Sequence, residues 1–418
     1  MRPRLAAIAC CLVMVGTACI QGDGASPIRV GAVYPLSGAQ GPGGIDEYRG
    51  VLLAADLANE DGGVGGRTIS IESVDTPGSD AAAAAIEQLE TAGVELVLGS
   101  YGSTISAPAS AKAAERGMLF WETGAVGMLP PASDRGGLTF RVPPTGEVLG
   151  RAAIAFVADQ VAPERHRDPA ELRYAVSFVD DAYGRSVAFG AEAELRERSL
   201  QNVGSFGYDF RTVDMAKLVR QIAAAGPDVL FVSAYLKDAI ALRRQLVAQD
   251  VPLLANIGTS SSYCMPAFGE TLGRDAVGVY ASDKPSASTI DPDGLRPAAR
   301  SLLLRANDAY YARWDEEMSP AALAGFSAAW ALFTDVMPAA ASLAPADVAA
   351  AARAVDLPTR SLPNGSGLRF GALGTPDAGD NIAAASVIWE WVAPGEAAVV
   401  WPPAFATDAM DPSASDAW

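Results

Sequence analysis

A single histidine among 418 residues is the sequence's sharpest shortage. His166 lies in the charged stretch PERHRDP, which reads as a solvated loop. A Ser-His-Asp hydrolase therefore has no base to set beside a nucleophile, and GSYGS lacks the G-x-S-x-G form of a nucleophile elbow. Zinc chemistry needs clusters of histidine and cysteine that the chain does not carry, so no metal and no other cofactor is expected. Cysteine is scarce too. Of the 4, Cys10 and Cys11 fall in the N-terminal apolar stretch and Cys19 just behind it, which leaves Cys264 alone. That excludes a disulfide framework, and Cys264 without a histidine partner reads as buried packing. Basic residues are short as well: 31 Lys and Arg face 49 Asp and Glu, a net charge of −18. No basic stripe exists to neutralise phosphates, which excludes nucleic acid as a partner. Beyond the N-terminus no apolar run reaches membrane-spanning length uninterrupted. Ala321–Val336 contains Asp335 and stops before Pro338, the mark of a buried helix.

No GxxxxGK[ST] phosphate loop is present either. The glycine-rich stretch NEDGGVGGR, Asn59–Arg67, has the wrong flanks for one. Helical spacing of Val51, Leu52, Ala55 and Leu57 precedes it, and the alternation of Ile69, Ile71 and Val74 follows. A phosphate loop leaves a strand and opens a helix, whose first amides hold the anion. Here the glycines end a helix and turn into a strand, with Gly62 as a left-handed cap.

What is present is an exported, globular chain. Half of the residues are hydrophobic and 19% charged, and the length suggests two lobes. MRPR followed by the apolar Leu5–Val15 reads as a signal peptide over 1–18. The small residues of GTAC before Cys19 resemble a bacterial lipobox, although Gly16 stands where leucine is usual, so ordinary signal cleavage remains the alternative. Cys19 is then the lipidated first residue of a tether over 19–27. Loss of Arg2 and Arg4 takes the net charge from −18 to −20.

From Ile28 onward short apolar strands alternate with amphipathic helices, which predicts parallel sheets with right-handed crossovers. One series runs to Val142. A second starts after the polar insert Ala162–Arg173 and runs through Val277–Ala281. Helices then follow over Leu295–Trp314, Ala321–Val336 and Ala346–Val355, with strands expected over Gly367–Phe370, Ser386–Val392 and Ala397–Trp401. Late helices after two complete series suggest that the chain returns to its first lobe. Residues 402–418 lack periodicity and are expected to form a flexible tail.

Taken in order, several stretches resemble the leucine/isoleucine/valine-binding protein family. These are IRVGAVYPLSG, NEDGGVGGRTISIESVD, VELVLGSYGSTISAPAS, FRVPPTGEVLGRAAI, SFVDDAYGRS, PDVLFVSAY, PAFGETLG with AVGVY, and GDNIAAASVIWEW. The resemblance covers roughly Ile28 to Trp401. It implies an α/β fold of two doubly wound lobes with a ligand cleft between them, the type I periplasmic binding protein. The implied lobes are 28–145 plus 282–357 and 146–281 plus 358–401. The implied role is that of the extracytoplasmic substrate-binding protein of an ABC importer, partnered by a permease and its ATPases and touching membrane only through its lipid.

The same resemblance proposes a site on loops at the carboxyl ends of strands, where open α/β sheets bind small molecules. Tyr34 and Ser37 border the ligand. Ser103, followed by Thr104 at the start of a helix, falls on the serine that holds an α-carboxylate; helix capping is the plainer role for these hydroxyls. Gly124 and Ala125 take the place of backbone contacts, while Val126 stands where a threonine hydroxyl is usual. Glu122 either receives a cationic group or is a solvated rim residue. Tyr183 and Tyr235 occupy aromatic contact positions or pack at strand ends, and Thr259 ends the strand where amino-acid binders carry an acid. That acid, the partner of the ligand's ammonium, is missing from Ala255–Ser261, so Glu122, Asp180 or Asp181 substitutes, or the ligand is not a standard α-amino acid. Hinged closure about Thr145–Gly146, Ala281–Asp283 and Leu357–Thr359 is the implied mechanism, with binding on the order of −8 kcal/mol. A ligand-sensing receptor of amides or carboxylates is the alternative, and a carboxylate-dependent hydrolase a more distant one.

Overall fold

The computed structural model describes residues 26–129, 136–287 and 289–414. The expected signal peptide, Cys19 and most of the expected tether lie outside these residues, as do 415–418 at the end of the chain.

The first series builds β1 (Ile28–Tyr34), α1 (Gly41–Glu60), β2 (Ile69–Asp75), α2 (Ala82–Thr91), β3 (Leu96–Gly99), α3 (Ser103–Glu115), β4 (Leu119–Glu122) and β5 (Thr139–Arg141). Its strands form one parallel sheet in the order β2-β1-β3-β4-β5. β1, β3 and β4 are buried almost throughout, as strands covered on both faces must be. The α1 helix begins at Gly41, well before Val51, where the helical spacing is first legible. Its opening GPGG resembles a loop by propensity, yet Pro42 suits a first helical turn. Its glycines let other chain segments lie against it: a Cβ at Gly43 would meet the Tyr101 ring at 2.2 Å.

The second series comprises α4 (Gly146–Phe156), which runs through a π-turn to the single turn α5 (Ala162–Glu164), then β6 (Arg173–Val179), α6 (Ala182–Glu197), β7 (Gln201–Tyr208), α7 (Met215–Ala225), β8 (Val229–Ser233), α8 (Leu236–Ala248), β9 (Ala255–Thr259), α9 (Pro266–Leu272) and β10 (Tyr280–Asp283). The chain then forms α10 (Pro297–Trp314), α11 (Pro320–Ala331) and α12 (Pro345–Ala354), which return to the first sheet; α11 packs along α1, and α12 against β4. The helical run Pro320–Ala339 is long and apolar enough to cross a membrane, but 72% of its window is buried inside the protein. Finally β11 (Val387–Ala393) and β12 (Glu396–Trp401) go back to the second sheet, ordered β12-β11-β10-β9-β8-β6-β7, with antiparallel pairing only at β10-β11-β12. The chain thus passes between the two sheets three times, after β5, after β10 and after α12.

Two expectations fail. Gly367–Phe370 is not a strand but a pair of isolated bridges, Leu357 with Leu368 and Phe370 with Asn381. Asn381 takes the place of a partner strand: its Nδ2 donates to the carbonyls of Val142 and Gly367, and its Oδ1 accepts from the amides of Arg369 and Ala383. The segment 402–414, expected to be loose, folds back on β11 and β12. Phe405 is buried, Thr407 donates its amide to the Val399 carbonyl, and the Asp411 amide donates to Glu390 Oε2 at 3.0 Å. Short polar runs carry no periodicity, so these single anchors are invisible in a pattern. The glycines of NEDGGVGGR do turn a helix into a strand, with Gly62 and Gly63 at φ of 104° and 68°. That turn precedes β2 and so lies at the amino edge of the sheet, opposite the functional loops.

Candidate ligand-binding cleft between the lobes

The carboxyl ends of both sheets face one another, and a cleft separates them. On the first lobe Tyr34 ends β1 fully buried, its hydroxyl 2.5 Å from Thr123 Oγ1. It supports the loop after β4 from beneath. Ser37 is exposed and donates to Asp75 Oδ2 at 2.6 Å, so it staples two loops together. Ser103 is the first residue of α3, and Gly102 is the N-cap, without a capping side chain. Capping is therefore not what the hydroxyls do. Ser103 Oγ accepts from the Gly127 amide at 2.9 Å, and Thr104 Oγ1 accepts from Gln40 Nε2 at 3.2 Å. The first amides of a helix have no acceptor within it and aim at whatever lies beyond, here the cleft.

Glu122 turns inward and is neither a solvated rim residue nor a free receptor for a cation. Its Oε1 accepts from the amides of Ser100 (3.1 Å), Gly124 (2.9 Å) and Ala125 (2.8 Å), and Oε2 accepts from the Ser106 hydroxyl. Burial raises its pKa against the pull of those donors. One side chain thus shapes the loops after β3 and β4 together. Gly124 presents its carbonyl to Lys284 Nζ at 3.0 Å, and Ala125 is buried behind it.

On the second lobe the Tyr183 hydroxyl donates to the Ser260 carbonyl and lies 3.0 Å from Thr259 Oγ1, which is itself fully buried. Tyr183 and Tyr235 pack with ring centroids 5.6 Å apart. Tyr235 is half-buried and donates to Asp181 Oδ2 at 2.7 Å. Asp181 also caps α6 through the Tyr183 and Gly184 amides, while Asp180 is held by Arg185 at 2.5 Å. Both aspartates thus already hold donors from their own chain.

Ser103, Gly124, Tyr183 and Tyr235 line one narrow stretch of the cleft together with Gln40 and Lys284. The gap there has room for about one water. Tyr34, Ser37, Thr104, Glu122, Ala125 and Thr259 do not line it. Across the seam Tyr101 and Ser261 line the same gap, so loops of the two lobes approach one another. From Tyr101, Ser260, Ser261 and Lys284 the cleft widens into a cavity of about 790 Å³. The sequence-based site missed Gln40, Tyr101, Lys284 and the fully buried Glu47. Glu47 accepts from Thr123 Oγ1 at 2.6 Å, and burial pushes its pKa up to about 8, with Lys284 opposing and Glu122 adding to the rise. Gln40 and Tyr101 follow β1 and β3, so the rule that ligands meet loops after strands could have found them. Lys284 follows β10 and falls under the same rule, whereas Glu47 gives no such signal, because its side chain points from within α1, an element the pattern assigns to packing. Cys264 is buried as expected, and His166 is exposed.

The description "Periplasmic binding protein" fits a family model matched over residues 27–384. A Brucella abortus protein named Leu/Ile/Val-binding protein homolog 8 is 28% identical over 348 residues, covering 82% of this chain and 84% of that protein. The fold is that of the leucine binding protein LivK from Thermotoga maritima, with a TM-score of 0.74 at 16% identity over 89% of this chain and 97% of the other. It is also that of LivJ from Streptococcus pneumoniae, solved with isoleucine, with a TM-score of 0.70 at 17% identity over 90% and 100%. With the cleft between its two sheets, the chain belongs to the periplasmic binding protein family, has the type I fold of its Leu/Ile/Val-binding relatives, and is an extracytoplasmic binding protein, not an enzyme.

Proposed function

We propose that the protein is the lipid-anchored substrate-binding component of an ABC importer, and that it captures a small amino-acid-like or related polar molecule by closing two lobes, 28–145 plus 282–357 and 146–281 plus 358–401. The observation that carries this reading is the meeting of Ser103 at the start of α3 with Tyr183 and Tyr235 across one polar seam. Free helix amides and a serine hydroxyl suit a carboxylate or other anionic oxygen. A tyrosine pair covers an apolar group and still donates hydrogen bonds. Contacts from both lobes favour the closed form, and that difference in affinity drives closure. Lipid on Cys19 keeps the carrier beside its permease.

A thermal-shift screen of amino acids, amides and short carboxylates tests this. A compound that raises the melting temperature of the wild type but not of Ser103→Ala and Tyr235→Ala supports the site; equal shifts in all three proteins reject it. Cys19→Ala is expected to move the protein from the membrane pellet to the soluble fraction. Retention in the pellet would count against the anchor.

A further inference from the structure

Beyond the narrow seam, the wide part of the cleft holds a carboxylate with a free oxygen. Asp283 ends β10 and is 2% exposed. Its Oδ2 accepts from Cys264 Sγ at 2.8 Å, while Oδ1 is buried without a partner, and the residue lies on the wall of the cavity of about 790 Å³. A buried carboxylate oxygen without a donor is costly, so such a group is kept where something else completes it. The nearest cation does not, because the Lys284 ammonium donates to the Gly124 carbonyl.

Charge around the cavity points the same way. Asp46 and Glu316 reach Arg49 at 3.7 and 3.1 Å. Glu270, Glu317 and Glu396 also line it, are exposed, and form no ion pair among the described residues. An acidic mouth concentrates small cations and repels anions. The inner wall includes Met265, Met318 and Trp391, which suit an apolar body. Strand register supplies the last step. Thr259 of β9 pairs with Ser282 of β10 in parallel, so Asp283 stands one strand over from the missing acid at the end of β9.

We propose that Asp283 receives the ammonium of the ligand, and that the cavity selects primary amines with an apolar body over neutral amides and simple carboxylates. This rests on the capture function proposed above and names its substrate class.

Calorimetric titration of the purified protein with 3-methylbutylamine, leucine, 3-methylbutanamide and 3-methylbutanoate tests it. The amine-bearing probes are expected to bind at least about 100-fold more tightly than the amide and the acid, and Asp283→Asn to remove about 100-fold of that affinity. Asparagine keeps an acceptor for Cys264, and the wild-type series decides the matter even if the variant melts early. The amide or acid binding as tightly as the amines overturns the role of Asp283 and leaves capture standing; so does amine affinity in Asp283→Asn within about threefold of wild type. Silence from all four probes and from the whole thermal-shift screen, in a protein that melts cooperatively, overturns the capture function and this inference with it.

Discussion

Glu47 sits wholly inside the first lobe, with Thr123 on Oε1 and nothing on Oε2. Its pKa is raised from 4.5 to about 8, chiefly by burial. The folded protein therefore binds a proton that the unfolded chain releases across that interval. Stability from the neutral carboxyl is fully present below about pH 4.5 and falls as pH rises through about 8. Calorimetric melting should show Glu47→Gln matching the wild type near pH 5 and melting a few degrees higher above about pH 8, since glutamine never charges. Glu390, raised to about 7, titrates in both proteins and cancels from the difference. Parallel curves at every pH would mean that Lys284 holds Glu47 ionised throughout. At this scale the sequence was only half legible. Ser103, Tyr183 and Tyr235 were reached through the family resemblance, whereas Glu122 was singled out but its direction was not. Whether a carboxylate faces a cleft or its own loop depends on where amides converge, and three backbone donors with one hydroxyl decide it here.

Helix packing in the two lobes uses one device twice. Where α1 crosses α11, a Cβ at Gly50 would lie 2.0 Å from the Ala322 carbonyl oxygen, and one at Gly325 would lie 2.2 Å from that of Glu47. Where α4 crosses α6, a Cβ at Gly150 would lie 2.1 Å from the Val187 carbonyl oxygen, and one at Gly190 would lie 2.1 Å from that of Glu147. Backbone cannot yield as a flexible side chain can. Gly50→Ala and Gly190→Ala should each cost about 1–3 kcal/mol, read as a lower urea midpoint with an unchanged slope. A midpoint within error of wild type would show that the helices separate without cost. Elements with clean periodicity were placed from sequence almost to the residue, as α10 and β12 illustrate. The opening turns of α1 were hidden because glycines chosen for close contact look like glycines chosen for turns. Gly367–Phe370 misled for the converse reason: its pattern suits a strand, but Asn381 supplies the hydrogen bonds a neighbouring strand would have made.

In the proposed closure, the contacts that tie the lobes together set the balance between open and closed forms. Tyr101 reaches over Gly43 of α1 and faces Ser261, which follows β9 of the opposite sheet, across the same gap. Its backbone stays at φ 69°, a conformation that non-glycine residues adopt only when the surroundings hold it. A hydrogen bond from the Tyr101 hydroxyl to Ser261, completed on closing, would contribute about 1 kcal/mol to closure, or about fivefold in the closed-to-open ratio. Tyr101→Phe keeps the ring over Gly43 and removes only the hydroxyl. In small-angle scattering the unliganded variant should show a larger radius of gyration than the wild type, and saturating ligand should bring both to the same value. Its affinity should fall about fivefold, since a clamp that rests more open has further to close. The two readouts are linked by one equilibrium. A variant that scatters as wild type yet binds more weakly would make the Tyr101 hydroxyl a direct ligand contact, and one unchanged in both would move control of closure to the Lys284 contact with Gly124, where the second crossing segment meets the first lobe.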